Sequence, residues 1–259
     1  MTQIIGSVLV RNEDRFLERA IRNIASFCDR IHAVDHTSTD GTWEILRSLA
    51  GEFDQLDVHR SRHSALAHQL LARYAGTDAW VLGVDGDELY DPAGLTRLRE
   101  QLLEGAHADV FRLKAHVLNC DELDGEHASG WLAPPSRPIT KLFNFGAVES
   151  WPESADPLQA GDPVFKPGQH WESRRDLADS TTWDDDPLRC LHLCFVRRSS
   201  AESDGTRSNL DESGAYDRTA FGALKRVLRR RRGRSGNWKR DWYARGEHVT
   251  VDARPFLGR

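Results

Sequence analysis

The 259-residue sequence predicts an α/β fold, an open and mostly parallel sheet with helices on both faces, continued by a less regular C-terminal region. Three observations carry this. Short apolar runs of strand length recur through the first 117 residues. Segments of helical periodicity fill the gaps between them. The carboxylates Asp35, Asp85 and Asp87 stand at or just after the ends of apolar runs. Ligands of such sheets bind beyond the carboxyl ends of the strands.

Gln3 to Val10 is mostly apolar, as suits a strand buried on both faces. Asn12 offers an N-cap, and Leu17, Ala20, Ile21, Ile24 and Ala25 fall at helical spacing over residues 13 to 27. Arg30 to Asp35 reads as a second strand. The polar turn His36-Thr37-Ser38-Thr39-Asp40-Gly41 follows, then a helix through Trp43, Ile45, Leu46 and Leu49. Leu56 to His59 is a short strand, and Ser64 to Ala75 a helix. Ala79 to Val84 is a buried strand that runs straight into Asp85-Gly86-Asp87-Glu88. Pro92 opens a helix to Leu103, and Asp109 to Val117 is a fifth strand. Residues 119 to 136 are polar with Gly and Pro and read as loop. Thr140 to Phe145 and Leu188 to Val196 are strand candidates, and Ala215 to Arg232 is a basic helix.

Composition excludes some functions. A net charge of -5 gives no drive toward nucleic acid, although Lys225 to Arg240 holds nine Lys or Arg and no acid. Trp238 is its one aromatic, too little aromatic interleaving for a nucleic-acid binder. No apolar run approaches the ~20 residues of a spanning helix, and the N-terminus lacks the pattern of a signal peptide, so the expected location is cytoplasmic. Cys28, Cys120, Cys190 and Cys194 include no Cys-x-x-Cys pair and are expected as buried thiols. Few Lys beside many Arg, Ala and Asp suggest a bacterial source with a GC-rich genome.

Two motifs carry chemistry. In Val84-Asp85-Gly86-Asp87-Glu88, two carboxylates stand two residues apart on a loop after a strand. Such a pair can hold Mg²⁺ or Mn²⁺ against a substrate phosphate, and Gly86 lets the backbone approach the ligand. The same residues also read as an acidic turn with Asp85 capping the next helix. In Val34-Asp35-His36-Thr37-Ser38-Thr39-Asp40-Gly41-Thr42, Thr39 or Asp40 reads as an N-cap, which leaves Asp35 at the strand end unexplained.

These two blocks, together with Val10-Arg11-Asn12-Glu13 ahead of them, resemble the family 2 glycosyltransferases of the GT-A fold. The resemblance covers roughly residues 3 to 117. It implies a Rossmann-like half, residues 1–118, that binds a nucleotide-sugar, and an acceptor-binding half, 119–259, integrated into one catalytic domain. Val10, Arg11, Asn12 and Glu13 would line the nucleotide pocket, and Asp35 would hydrogen-bond the base, a uracil. Asp85 would contact ribose or metal, beside Gly86, and Asp87 would ligate Mn²⁺ or Mg²⁺. A late His completes the metal shell in many relatives. His192 is the candidate here, with a core histidine as the other reading. One departure is His68-Gln69 where relatives often carry Arg-Asn.

The resemblance also implies transfer with inversion, in which a carboxylate takes the acceptor proton. Glu172 is the favoured base, in Gln169-His170-Trp171-Glu172, with Glu149, Glu153 and Asp156 as alternatives. Trp151 and Trp171 read as an acceptor platform or as core. Arg197 and Arg198 are candidate diphosphate contacts. Arg229 to Arg232 would close over diphosphate, face a lipid surface or lipid-linked acceptor as a peripheral contact, or form a solvated helix face. The rival readings are a non-catalytic nucleotide-sugar-binding module and a sugar nucleotidyltransferase. The latter usually needs a Gly-rich loop where Val10-Arg11-Asn12-Glu13 stands.

Overall fold

The computed structural model describes residues 1–152, 162–201 and 242–258. The expected alternation is present as β1 (Gln3–Val10), α1 (Leu17–Ala25), β2 (Arg30–Asp35), α2 (Thr42–Ala50), β3 (Leu56–Arg60), α3 (Ala65–Ala72) and β4 (Ala79–Val84). β1 pairs in parallel with β2 on one side and β4 on the other, and β2 with β3. Leu17, Ala20, Ile21 and Ile24 of α1 repeat at i, i+3, i+4 and i+7 and are wholly buried. Each such Leu or Ile contributes about 1.5–3 kcal/mol.

Past β4 come β5 (Glu88–Tyr90), α4 (Pro92–Leu103), β6 (Arg112–Lys114), β7 (Val117–Leu123), β8 (His127–Ala133) and β9 (Lys141–Asn144). The short β10 (Val148–Ser150) pairs with β11 (Val164–Phe165). Then follow β12 (Arg174–Asp176), β13 (Cys190–His192), β14 (His248–Asp252) and α5 (Arg254–Leu257). The main sheet runs β12-β6-β9-β4-β1-β2-β3. β9 is antiparallel to both β4 and β6, so β6 and β12 point the same way as β1 to β4.

The sequence reading needs correction in four places. Residues 109–117 are not one strand: β6 ends at Lys114 in the main sheet, and β7 starts a second, five-stranded sheet ordered β14-β8-β7-β13-β5. The expected loop 119–136 contains most of the β7–β8 hairpin, turned at Asp124. Its Asp, Glu and Ser residues hid the strands, because the apolar positions Leu118, Cys120 and Ala128 are buried only once the second sheet forms. The expected 188–196 strand shrinks to Cys190–His192. Asn12 caps no helix; α1 begins at Leu17.

β5, from the first half of the chain, pairs with β13, so the two halves interlock across residue 118. All four cysteines are buried free thiols, as expected. Among the described residues no helix is long and apolar enough to cross a membrane. The basic stretch 225–240, with Arg229, Arg230, Arg231 and Arg232, lies outside the described residues, as do Glu153 and Asp156.

Candidate functional site

The carboxyl ends of β2, β1 and β4 stand side by side. Val10 is in register with Asp35, and Val8 with Val84. Asp35 and Asp85 therefore flank the end of β1, about two strand spacings or ~10 Å apart. The sequence reading placed both at strand ends, and the sheet order brings them to one rim.

Two loops on this rim are latched together. Asn12 adopts the left-handed region at φ 54°. Its backbone N–H donates to Ser38 Oγ at 2.9 Å, and its side-chain oxygen accepts from Thr39 N–H at 2.8 Å. Asn tolerates this conformation better than most residues. Thr37 shares it at φ 55°, an uncommon geometry for a β-branched residue. Glu13 N–H donates to Thr42 Oγ1 at 2.9 Å. Asp40 Oδ1 accepts from Thr42 N–H at 3.1 Å and so holds the first turn of α2.

Asp35 is fully buried. Its Oδ1 accepts from Ser38 N–H at 3.0 Å, and its Oδ2 lies 2.9 Å from Arg60 Nε. Arg60 in turn covers the Trp43 ring. Among the described residues, Asp35 Oδ2 makes no hydrogen bond and is the acceptor left over on this carboxylate, beside the Arg60 charge.

The Asp85–Glu88 segment is a tight turn in which Glu88 N–H donates to the Asp85 carbonyl at 3.0 Å. Asp85 caps no helix; Asp91 caps α4, accepting from Ala93 N–H. Asp87 is 2% exposed, and Asp85 is half-buried. Gly86 N–H donates to Glu13 Oε2 at 2.8 Å, and Arg198 Nη1 sits 2.7 Å from Glu13 Oε1 and 3.9 Å from Asp87 Oδ2. Burial pushes the Glu13 carboxyl above its ordinary range; Arg198 opposes this, while Asp87 and Asp85 add to it. Asp85 and Asp87 set two carboxylates at this turn, whose charge a divalent cation would offset.

Residues 193–201 belt the rim. Leu193 N–H donates to the Asp87 carbonyl, Arg15 N–H to the Arg198 carbonyl, and Ser200 N–H to Asp14. Arg198 points inward, toward Glu13 and Asp87. The Arg197 guanidinium instead donates to the carbonyls of Ser199 and Ser200 within its own loop.

His192 stands in register with Glu88 on one side and Asn119 on the other, one residue from Asp87. Its Nδ1 lies 2.9 Å from Asn119 Oδ1, and the Tyr243 ring meets it edge-on at 5.3 Å. Among the described residues, no group of three His, Cys, Asp or Glu side chains is arranged to hold a metal. A cation at Asp85 and Asp87 would take further ligands from donor phosphate oxygens and water, as Mg²⁺ sites usually do.

The structure does not bring Glu172 or Glu149 to this rim. The row Arg174–Arg112–Phe143–Val81 crosses the sheet. It lies four residues, about 13 Å, below Asp85. Glu172 precedes that row, three strands to the side, where its carboxylate pairs with Arg174 and lies 3.9 Å from Arg112. Glu149 sits against Gly76, below the start of β4. Trp151 is no acceptor platform: it is buried among Phe111, Phe143 and Phe145, with Trp171 packed edge-on against it. His68 sits 3.2 Å from the Trp151 carbonyl in the same layer.

Sequence reasoning missed Ser38, Thr42 and Arg60 as clamps, and Asn119 and Tyr243 as neighbours of His192. A polar Asn inside Val117-Leu118-Asn119-Cys120 was the available signal.

The sheet order sets the acidic rim at the carboxyl ends of an open, mostly parallel sheet. The profile described as "Glycosyl transferase family 2" matches residues 8–145, more than half of the chain, and the chain belongs to that family. A search of curated proteins gave no match. Among solved structures, glucosyl-3-phosphoglycerate synthase from Mycobacterium tuberculosis, in complex with Mn²⁺, UDP and glucosyl-3-phosphoglycerate, is 19% identical over 44% of each chain, with a TM-score of 0.33. A mannosyltransferase from Pyrobaculum calidifontis, with GDP-Man and Mn²⁺, is 24% identical over 47% of this chain and 36% of its own, at 0.33. A 4-diphosphocytidyl-2C-methyl-D-erythritol synthase is 16% identical over 57% of this chain and 78% of its own, at 0.35. The chain spans under half the length of the first two.

Proposed function

We propose that this chain moves a sugar from a nucleotide-sugar donor, a UDP-sugar, to an acceptor hydroxyl with inversion, using a divalent cation held by Asp87 and Asp85. The observation that supports it most is the buried Asp87 carboxylate. It shares the rim with Asp85, Glu13 and the inward-pointing Arg198, on loops already latched by Asn12 and Ser38. Such a rim is built before substrate arrives, as electrostatic catalysis requires.

In this reading the backbone from Val10 to Glu13 and the 36–41 loop hold the nucleoside, with Asp35 beneath the base. Arg198 faces the diphosphate. Its charge is balanced by Glu13 before donor binds and by phosphate afterwards. When bound, the cation would neutralise the charge that collects on the departing nucleoside diphosphate. His192 would give the same cation a nitrogen ligand. The belt 193–201 excludes water from one side of the rim.

A thermal-shift screen of UDP-, GDP-, TDP- and CMP-sugars with and without Mn²⁺ tests the donor reading. UDP-sugars should raise Tm in a metal-dependent way. No shift with any nucleotide-sugar would remove the proposal, and metal-independent binding without turnover would leave only a binding module. Asp87→Ala should abolish metal-dependent binding with the unliganded Tm intact. Unchanged turnover in that variant sinks the metal assignment. The anomeric configuration of the product, read by proton NMR, decides inversion.

A further inference from the structure

Asn119 is buried at the centre of the second sheet, on β7 beside β13. Its side-chain nitrogen lies 2.8 Å from Ser136 Oγ and 3.3 Å from the Arg137 carbonyl. A carbonyl only accepts, so the atom facing Arg137 is the donating –NH₂. That fixes the amide, and the oxygen must face His192 Nδ1 at 2.9 Å. An amide oxygen only accepts, so His192 Nδ1 carries a proton. A neutral His192 then carries its lone pair on Nε2.

The surroundings hold this pair in place. Gly130 of β8 passes so close that a Cβ there would lie 2.2 Å from the Asn119 carbonyl oxygen. β8 can therefore approach only through a glycine, and β13 packs on the other side of β7. Tyr243 meets the imidazole edge-on, and Arg137, whose carbonyl orients Asn119, has its guanidinium over the Tyr243 ring at 5.8 Å.

From this geometry we infer that Asn119 is a positioning residue: it sets the His192 tautomer to Nδ1–H, which keeps Nε2 as the metal-binding nitrogen. The metal-binding half of the inference rests on the reading of His192 as a ligand in the proposed function, whereas the tautomer stands on the hydrogen bonds alone. Orienting a ligating histidine through its other ring nitrogen is worth 10–100-fold in metal affinity in sites of this kind.

The test is long-range proton–nitrogen NMR on the full chain with ¹⁵N-labelled histidine, metal-free and at pH 8. His192 is assigned by the signal lost in His192→Gln. The parent protein should show the Nδ1–H form. Asn119→Leu should release it to an Nε2–H or mixed state and weaken Mn²⁺ binding by calorimetry about 10–100-fold. Asn119→Asp keeps an acceptor against Nδ1, should keep the tautomer, and serves where the leucine variant does not fold. An Nε2–H form in the parent protein, or loss of the Nδ1–H form in Asn119→Asp, overturns the inference. So does an unchanged tautomer in a folded Asn119→Leu. Failure of the ligand reading looks different: the expected tautomers appear, yet His192→Gln binds Mn²⁺ as the parent does, which upholds the tautomer assignment and removes the metal from it.

Discussion

Gly86 separates the two aspartates of the rim, and replacing it with alanine probes the site with one methyl group. A Cβ at this position would lie 2.6 Å from Glu13 Oε2, 3.0 Å from Glu13 Cβ and 3.1 Å from Val10 Cγ1. The nearest atom belongs to a side chain that cannot swing away freely. Glu13 is buried, takes the Gly86 N–H at 2.8 Å and pairs with Arg198 at 2.7 Å. Forcing a methyl into such a space costs about 1–3 kcal/mol. If Glu13 retreats, it gives up a charge-assisted hydrogen bond worth about 1.5–3 kcal/mol. By either route the expected loss for Gly86→Ala is about 1–3 kcal/mol. Urea denaturation at pH 7 measures it, and donor binding should fall with it because Asp85 and Asp87 shift. Glu13→Asp shortens the obstructing side chain by one methylene. In a double-mutant cycle the two changes should be non-additive, with the pair less damaging than the sum of the singles. A Gly86→Ala cost below about 1 kcal/mol, or strict additivity in the cycle, would refute the contact as the cause.

Two further outcomes follow from residues elsewhere in the fold. Burial, and then Arg73, lower the pKa of His32 to about 4, against 6.5 for an ordinary histidine, so the unfolded chain binds more protons between these values. Stability should fall as pH drops from 6.5 to 4, by about 2 kcal/mol once screening by its exposed charged neighbours is allowed for, and His32→Gln should flatten that limb of a pH-dependent urea series. Asn12→Ala should cost about 2 kcal/mol, from an L-residue held at positive φ and the lost bond to Thr39, whereas Asn12→Gly should recover the backbone part; equal losses in the two variants would contradict the left-handed assignment.

The sequence by itself determined strands β1 to β4 of the main sheet. Apolar runs such as Gln3–Val10 and Ala79–Val84 are buried on both faces whatever their partners, so length and hydrophobicity reveal them. It also determined which carboxylates end strands, because Asp35 and Asp85 interrupt apolar runs in one dimension. Tertiary structure decided what those residues meet. The β7–β8 hairpin is legible only when β13 and β14 lie beside it, since its polar positions face outward and its apolar ones pack on elements distant in sequence. Glu172 sits beside a promising Trp in the chain, yet the parallel pairing of β12 with β6 carries it to the far end of the sheet. Asn119 and His192 are 73 residues apart and meet through strand register, as Glu13 and Arg198 meet across 185. Register and sheet order are long-range choices, made by the whole set of strands at once, and no local pattern of residues records them.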